Sequence, residues 1–195
     1  MKKVACVGDS ITWGFTIIRP GKHGYPAVLQ HLLGDGFEVR NFGYNDAAAR
    51  FDSETPYVSK KVYKESLAWE PDFVILMLGT NDTKPWNWDP EVFRRDYARI
   101  VDSYLALPSH PRVVLVAPIR IFRVLRMPVM VLNPDVLEDG VRPAIHEIAE
   151  QKGLQLIDLY GLFDSARYCR DGIHPQRHGA RMLAETVHEN VDFSA

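Results

Sequence analysis

The stretch VACVGDSITWG, residues 4–14, opens as a short apolar run and breaks off at Gly8-Asp9-Ser10. Val4 to Val7 read as a buried strand bounded by a glycine. The residues behind the strand admit two readings. Asp9 or Ser10 can cap a helix by accepting its first backbone N–H groups. Alternatively, Ser10 is a nucleophile delivered to the lip of a sheet. Gly-Asp-Ser alone does not separate the two, so the rest of the chain has to.

Strand-like and helix-like segments alternate from end to end. Strands are predicted at 3–8, 37–42, 72–78, 112–118 and 154–160. Their apolar character is near-continuous, as expected of parallel strands covered on both faces. Helical periodicity falls at 26–33, 57–69, 91–107, 142–152 and 176–191. The third of these is the best marked. Asp89 can cap it, Pro90 suits its first turn, and Phe93, Tyr97, Ile100, Val101, Tyr104 and Leu105 line one face. Gly153 is placed to end the fourth. Five β–α units in this order predict an α/β protein: a right-handed, doubly wound, three-layer sandwich on a five-stranded parallel sheet. No repeat or linker divides residues 1–195, which are read as one domain. Residues 119–140, IRIFRVLRMPVMVLNPDVLEDG, break the rhythm as an inserted loop after the fourth strand. It either faces a ligand at the strand ends or packs back on the core.

Composition bounds the function from outside. With 46% hydrophobic and 25% charged residues and a formal charge of −2, the 195-residue chain has an ordinary globular balance. It has no block of like charge, and nothing points to nucleic acid or an anionic membrane as partner. The longest apolar run, residues 73–79, falls far short of the ~18 residues of a membrane span. MKKVACVGDS lacks the apolar run of a secretory signal, which makes the cytoplasm the default expectation, with a leader removed from a longer precursor as the alternative. Cys6 and Cys169 make no disulfide framework, and both are expected to pack inside.

The chemistry-bearing residues fall just after strands. Gly8, Asp9 and Ser10 follow the first; Gly43, Tyr44, Asn45 and Asp46 the second; Gly79, Thr80, Asn81 and Asp82 the third. Asp171-Gly172-Ile173-His174-Pro175 follows the fifth, before the last helix. In a doubly wound fold the strand C-termini converge on one crevice. Acyl transfer needs this set: a serine activated by a histidine, a carboxylate that fixes the imidazole tautomer, and N–H donors for the oxyanion.

Together, GDSIT, the glycine at 43, GTND and DGIHP resemble the ordered blocks of the SGNH (GDSL-type) hydrolase superfamily. They run from residue 8 to 175. The resemblance implies a flavodoxin-like sandwich and metal-free, cofactor-free ester hydrolysis. It implies Ser10 as nucleophile, His174 as base and Asp171 as its orienting acid. It also implies an oxyanion hole from the N–H groups of Ser10 and Gly43 and the side chain of Asn81. The chain departs from the family where Gly-x-Ser-Gly is replaced by Gly43-Tyr44-Asn45-Asp46. GTNDTKPWNW, with YPAVLQHLLG and NFGYNDAAAR upstream, is similar to the carbohydrate O-acetylesterase branch. Short acyl, above all acetyl, esters of a carbohydrate are then the expected substrates.

Further alternatives attach to single residues. Trp86 and Trp88 either stack on a sugar or pack their loop, and Asp9 is a candidate substrate contact or a turn residue. His174 and His178 at four-residue spacing, with Asp171, can suggest a metal face, but Pro175 starts a helix between them and sets His174 off it. The apolar segment 124–132 suits a longer acyl chain, as in a lysophospholipase or thioesterase, or a contact between copies of the chain. The competing class is a non-catalytic flavodoxin-like binder of a phosphate-bearing cofactor, which the acid at Asp9 disfavours.

Overall fold

The computed structural model describes residues 1–124 and 131–194. Five parallel strands form the sheet: β1 (Lys2–Gly8), β2 (Phe37–Gly43), β3 (Phe73–Met77), β4 (Arg112–Ala117) and β5 (Gln155–Asp158), in the order β2-β1-β3-β4-β5. β1 pairs with β2 from Lys2↔Phe37 to Gly8↔Gly43, and with β3 from Val4↔Phe73 to Gly8↔Met77. The helices are α1 (Ser10–Trp13), α2 (Pro20–His23), α3 (Tyr25–Leu33), α4 (Lys61–Ala68), α5 (Pro90–Leu105), α6 (Pro134–Val136), α7 (Arg142–Lys152) and α8 (Arg177–Asn190).

The two faces of the sheet feed two cores, as alternation of side chains along a strand requires. Val4 and Cys6 of β1, with Ile75 and Met77 of β3, pack towards Leu29 of α3 and Leu183 and Val187 of α8. Ala5 and Val7, with Val74 and Leu76, pack towards Tyr97 and Ile100 of α5 and Ile145 and Ile148 of α7. Strands buried on both faces explain the unbroken apolar runs of the sequence. Among the described residues no helix is long and apolar enough to cross a membrane.

Most predicted elements recur with ends shifted by a residue or two. α5 starts as expected: the Asp89 carboxylate accepts from Glu91 and Val92 N–H, and Pro90 opens the helix. The segment predicted as one helix over 57–69 is instead a 3₁₀ turn, Tyr57–Ser59, then α4. Tyr57 is fully buried and donates to the Phe42 carbonyl at 2.6 Å, which pins the turn to β2 and delays the helix. β5 stops at Asp158, short of the predicted 160, because its carboxylate accepts from Tyr160 N–H and bends the chain off the sheet. Within 119–140, α6 runs through a π-helical turn, Leu137–Val141, into α7. Most of the 124–132 segment lies outside the described residues. Both cysteines are buried, and burial pushes each thiol up to about 12.

The β1–α1 junction joins both readings of the opening stretch. Asp9 caps α1, its Oδ1 accepting from Ile11 N–H at 2.9 Å, while Ser10 is the first helical residue. Asp9 is fully buried and its Oδ2 has no hydrogen-bond partner. Burial pushes its pKa up to about 6, against the Ile11 N–H and the His174 charge, which favour the anion. A carboxylate raised above its unfolded value of 3.8 makes the folded state bind the extra proton. Asp9 therefore costs the fold nothing below pH ~4, and its cost grows as pH rises through about 6. Asp9→Asn keeps the cap and removes the buried charge. We expect it to match the wild type in urea unfolding at pH 4.5 and to be more stable at pH 8, by up to about 3 kcal/mol. A variant less stable than wild type at pH 8 would contradict the ionised, unpaired carboxylate.

Candidate active site

The sheet order reverses its direction of growth at β1, so β1 and β3 end side by side at a topological switch point, where doubly wound folds open a crevice. Ser10 arrives there from β1. Its Oγ lies 2.8 Å from His174 Nε2, though the two residues are 164 positions apart in sequence. His174 Nδ1 lies 2.6 Å from Asp171 Oδ2. The other oxygen of Asp171 accepts from the backbone N–H groups of Ile173 and His174, at 3.0 and 2.7 Å. Partial burial pushes Asp171 up, but those hydrogen bonds and the His174 ring outweigh it and hold its pKa at about 2. It is a fixed anion across the working pH range. With Oδ2 accepting from Nδ1–H, the Nε2 lone pair is left facing Ser10 Oγ.

Both His174 nitrogens are thus engaged. His178 sits on α8 with its ring stacked on Tyr168, centroids 5.6 Å apart, so the Asp171–His174–His178 metal face does not form. Among the described residues no three His, Cys, Asp or Glu side chains cluster as a metal ion would need.

A cavity of about 120 Å³ opens beside Ser10 and His174. Phe15, Leu132 and Ile173 give it apolar walls, and Asn45, Asp46, Thr80 and Asn81 give it a polar side. Phe15 also packs on the His174 ring, centroids 4.8 Å apart. Asn81 is buried; its Nδ2 donates to Ala47 carbonyl at 3.0 Å and keeps a second hydrogen for the cavity. The Ser10 N–H, first in α1, lies outside the helix's own hydrogen bonds.

Gly43 is a correction to the sequence expectation. Its N–H donates to Asn41 Oδ1 at 2.8 Å, so it is not free for an oxyanion, and Gly43 does not line the cavity. A Cβ at Gly43 would run into the Trp13 backbone; the glycine is there to let β2 approach α1. The turn at Asn45–Asp46 reaches the cavity in its place. Asp46 adopts φ +64°, a left-handed conformation that Asp tolerates better than most residues. Its carboxylate is held by Lys84 Nζ at 2.6 Å and Thr55 Oγ1 at 3.3 Å, which fixes the turn where the family often has a second glycine.

Three further positions carried two readings each. Asp9 lies beneath the site, fully buried, and makes no part of the cavity wall. Trp88 takes the packing alternative: half-buried, with its ring 5.7 Å from Phe93 and against Gly140, where a Cβ would strike it. Trp86 is 50% exposed and does not line the cavity. Asp82 spans two loops. Its oxygens accept from Ala49 and Arg50 N–H, both at 2.9 Å, and burial pushes it up to about 6. Phe15 went unread because one aromatic behind a helical turn carries no chemical signature; the left-handed Gly14 that turns it back, φ +90°, was its only clue.

The chain is similar to known proteins in sequence and in fold. The model of the GDSL-like lipase/acylhydrolase family matches residues 6–182. An acetylxylan esterase from Xylanibacter ruminicola is 38% identical over 95% of this chain, which spans 42% of that protein's length. In fold, the chain is similar to an aryl esterase from M. smegmatis, with TM-score 0.81 at 22% identity over 97% of both chains. It is equally similar to a carbohydrate acetylesterase from Sinorhizobium meliloti, with TM-score 0.81 at 21% identity over 97% of both chains. The ordered blocks from Gly8 to Pro175, the parallel sheet that gathers their residues, and the family match over residues 6–182 lead to one conclusion: the chain belongs to the GDSL-like lipase/acylhydrolase family.

Proposed function

We propose that the protein hydrolyses carboxylic esters through an acyl-Ser10 intermediate, and that it removes short acyl groups, acetyl above all, from a carbohydrate. The observation that carries this is the unbroken line Asp171–His174–Ser10, with contacts of 2.6 and 2.8 Å, ending at a small cavity. Ser10 Oγ attacks the carbonyl carbon as its proton passes to His174 Nε2. The Asp171 anion keeps the imidazole in the accepting tautomer and stabilises the imidazolium that results. Negative charge on the carbonyl oxygen is met by the Ser10 N–H and the free hydrogen of Asn81 Nδ2. The tetrahedral intermediate collapses, and His174 returns the proton to the departing alkoxide, releasing the alcohol. Water then repeats the sequence on the acyl-serine, giving the carboxylic acid and free Ser10.

The acyl preference follows from size. A cavity of about 120 Å³ is small and suits an acetyl group better than a fatty chain. That favours the short-chain reading over the lysophospholipase or thioesterase. The carbohydrate part draws support from the 38% identity to an acetylxylan esterase.

Two measurements test these assignments. Asn81→Ala should lower kcat on p-nitrophenyl acetate about 10²- to 10³-fold with near-unchanged KM; a loss below threefold in a folded variant removes Asn81 from the oxyanion role. Across p-nitrophenyl esters, kcat/KM should fall at least about tenfold from acetate to octanoate, since the longer chain cannot desolvate in the cavity. A rise towards octanoate would favour the long-chain alternative.

A further inference from the structure

A second, larger cavity of about 680 Å³ is walled in part by chain neighbours of the residues that line the acyl cavity. The chain passes directly from one to the other at two points. Phe15 walls the acyl cavity and Thr16 to Ile18 wall the groove; His174 lies in the first and Gln176 and Arg177 in the second. Three arginines line the groove: Arg167, Arg170 and Arg177. They are incompletely neutralised. Arg167 reaches Asp164 at 3.3 Å across an exposed pair. Arg177 touches only the Ile18 carbonyl, at 3.5 Å, and Arg170 has no hydrogen bond or ion pair among the described residues. The one other carboxylate nearby in sequence, Asp171, is committed to His174. Desolvation, and then the charges of Arg177, Lys22 and Arg19, hold the pKa of His23 below its ordinary value, so the cationic field extends beyond the groove wall. In a chain of net charge −2 this is a local concentration of positive charge, unlike the acyl cavity.

The groove is larger than an acetyl group needs, and its arginines set it apart from the acyl cavity. Its walls continue in sequence from Phe15 and His174 of the acyl cavity, so it is the candidate seat for the alcohol half of an ester whose acyl half sits at Ser10. Guanidinium groups free of acid partners present planar forks that match a carboxylate. We propose that the groove seats the alcohol half of the substrate, and that this half is a saccharide bearing a carboxylate, a uronic acid unit, met by Arg170 and Arg177. The proposal rests on the esterase reading of Ser10.

The test is a matched pair of substrates: mono-acetylated methyl glucuronoside and methyl glucoside, esterified at the same hydroxyl, with p-nitrophenyl acetate as a control that has neither sugar nor carboxylate. At low ionic strength the wild type should favour the glucuronoside in kcat/KM by about five- to tenfold, the size expected of one or two partly exposed arginine–carboxylate contacts. Salt at 0.5 M, where the Debye length is a few ångströms, should erase most of the preference. The Arg170→Gln/Arg177→Gln double variant should lose it, its kcat/KM on the glucuronoside falling to the level of the glucoside. Equal rates on the two sugars in the wild type, or a preference that survives in the double variant, overturns the groove assignment and leaves the esterase standing. Cleavage of p-nitrophenyl acetate with neither sugar cleaved overturns the saccharide for both cavities. Failure on all three overturns the esterase reading, and the groove with it.

Discussion

The site depends on how closely the backbone turns at Gly8. A Cβ at that position would run into the Thr12 hydroxyl and the Met77 carbonyl, so only glycine lets α1 fold back over the end of β1 while β3 stays paired beside it. That tight exit puts Ser10 on the first turn of a helix, with its N–H unspent and its Oγ aimed at His174. Asp9 completes the turn from below as the helix cap, and burying its carboxylate with one oxygen unpaired is what this arrangement costs. The nucleophile is held by backbone geometry rather than by side-chain packing.

A second constraint holds the polar wall of the cavity. The loops after β2 and β3 are tied to each other as well as to their strands. Asn81 donates to Ala47, Asp82 accepts from Ala49 and Arg50, and Lys84 pairs with Asp46. Asn87 in turn donates to the Asn81 carbonyl at 2.9 Å, bracing the residue that faces the cavity. The GTND block is therefore a bracket as much as a source of one donor. Buried charge-assisted hydrogen bonds from backbone N–H groups rank among the stronger ones a fold makes, which suits a loop that must not shift during catalysis.

The sheet and the line of Ser10, His174 and Asp171 were legible in the sequence because each leaves a local signature. Unbroken apolar runs mark strands covered on both faces, and short blocks of Gly, Asp, Ser, Asn and His after those strands mark the crevice. What was not legible depended on contacts between distant segments. Whether Gly43 spends its N–H on Asn41 is a matter of loop geometry that the letters do not carry. Tyr57 reaching the Phe42 carbonyl cut a predicted helix in two, and Phe93 drawing in Trp88 left Trp86 exposed on its own. The arginine groove has no signature in the sequence for the same reason: Arg167, Arg170 and Arg177 are scattered charges until the chain sets them round one space with Thr16 and Ile18.

The central claim is that Ser10 becomes covalently acylated with His174 as its base. Reaction with an alkyl fluorophosphonate, followed by peptide mass mapping, tests it most directly. The account predicts one adduct, on the peptide carrying Ser10, formed rapidly by the wild type, greatly slowed in His174→Ala and absent from Ser10→Ala together with all esterase activity. An adduct on another residue, or hydrolysis retained by Ser10→Ala, would contradict it.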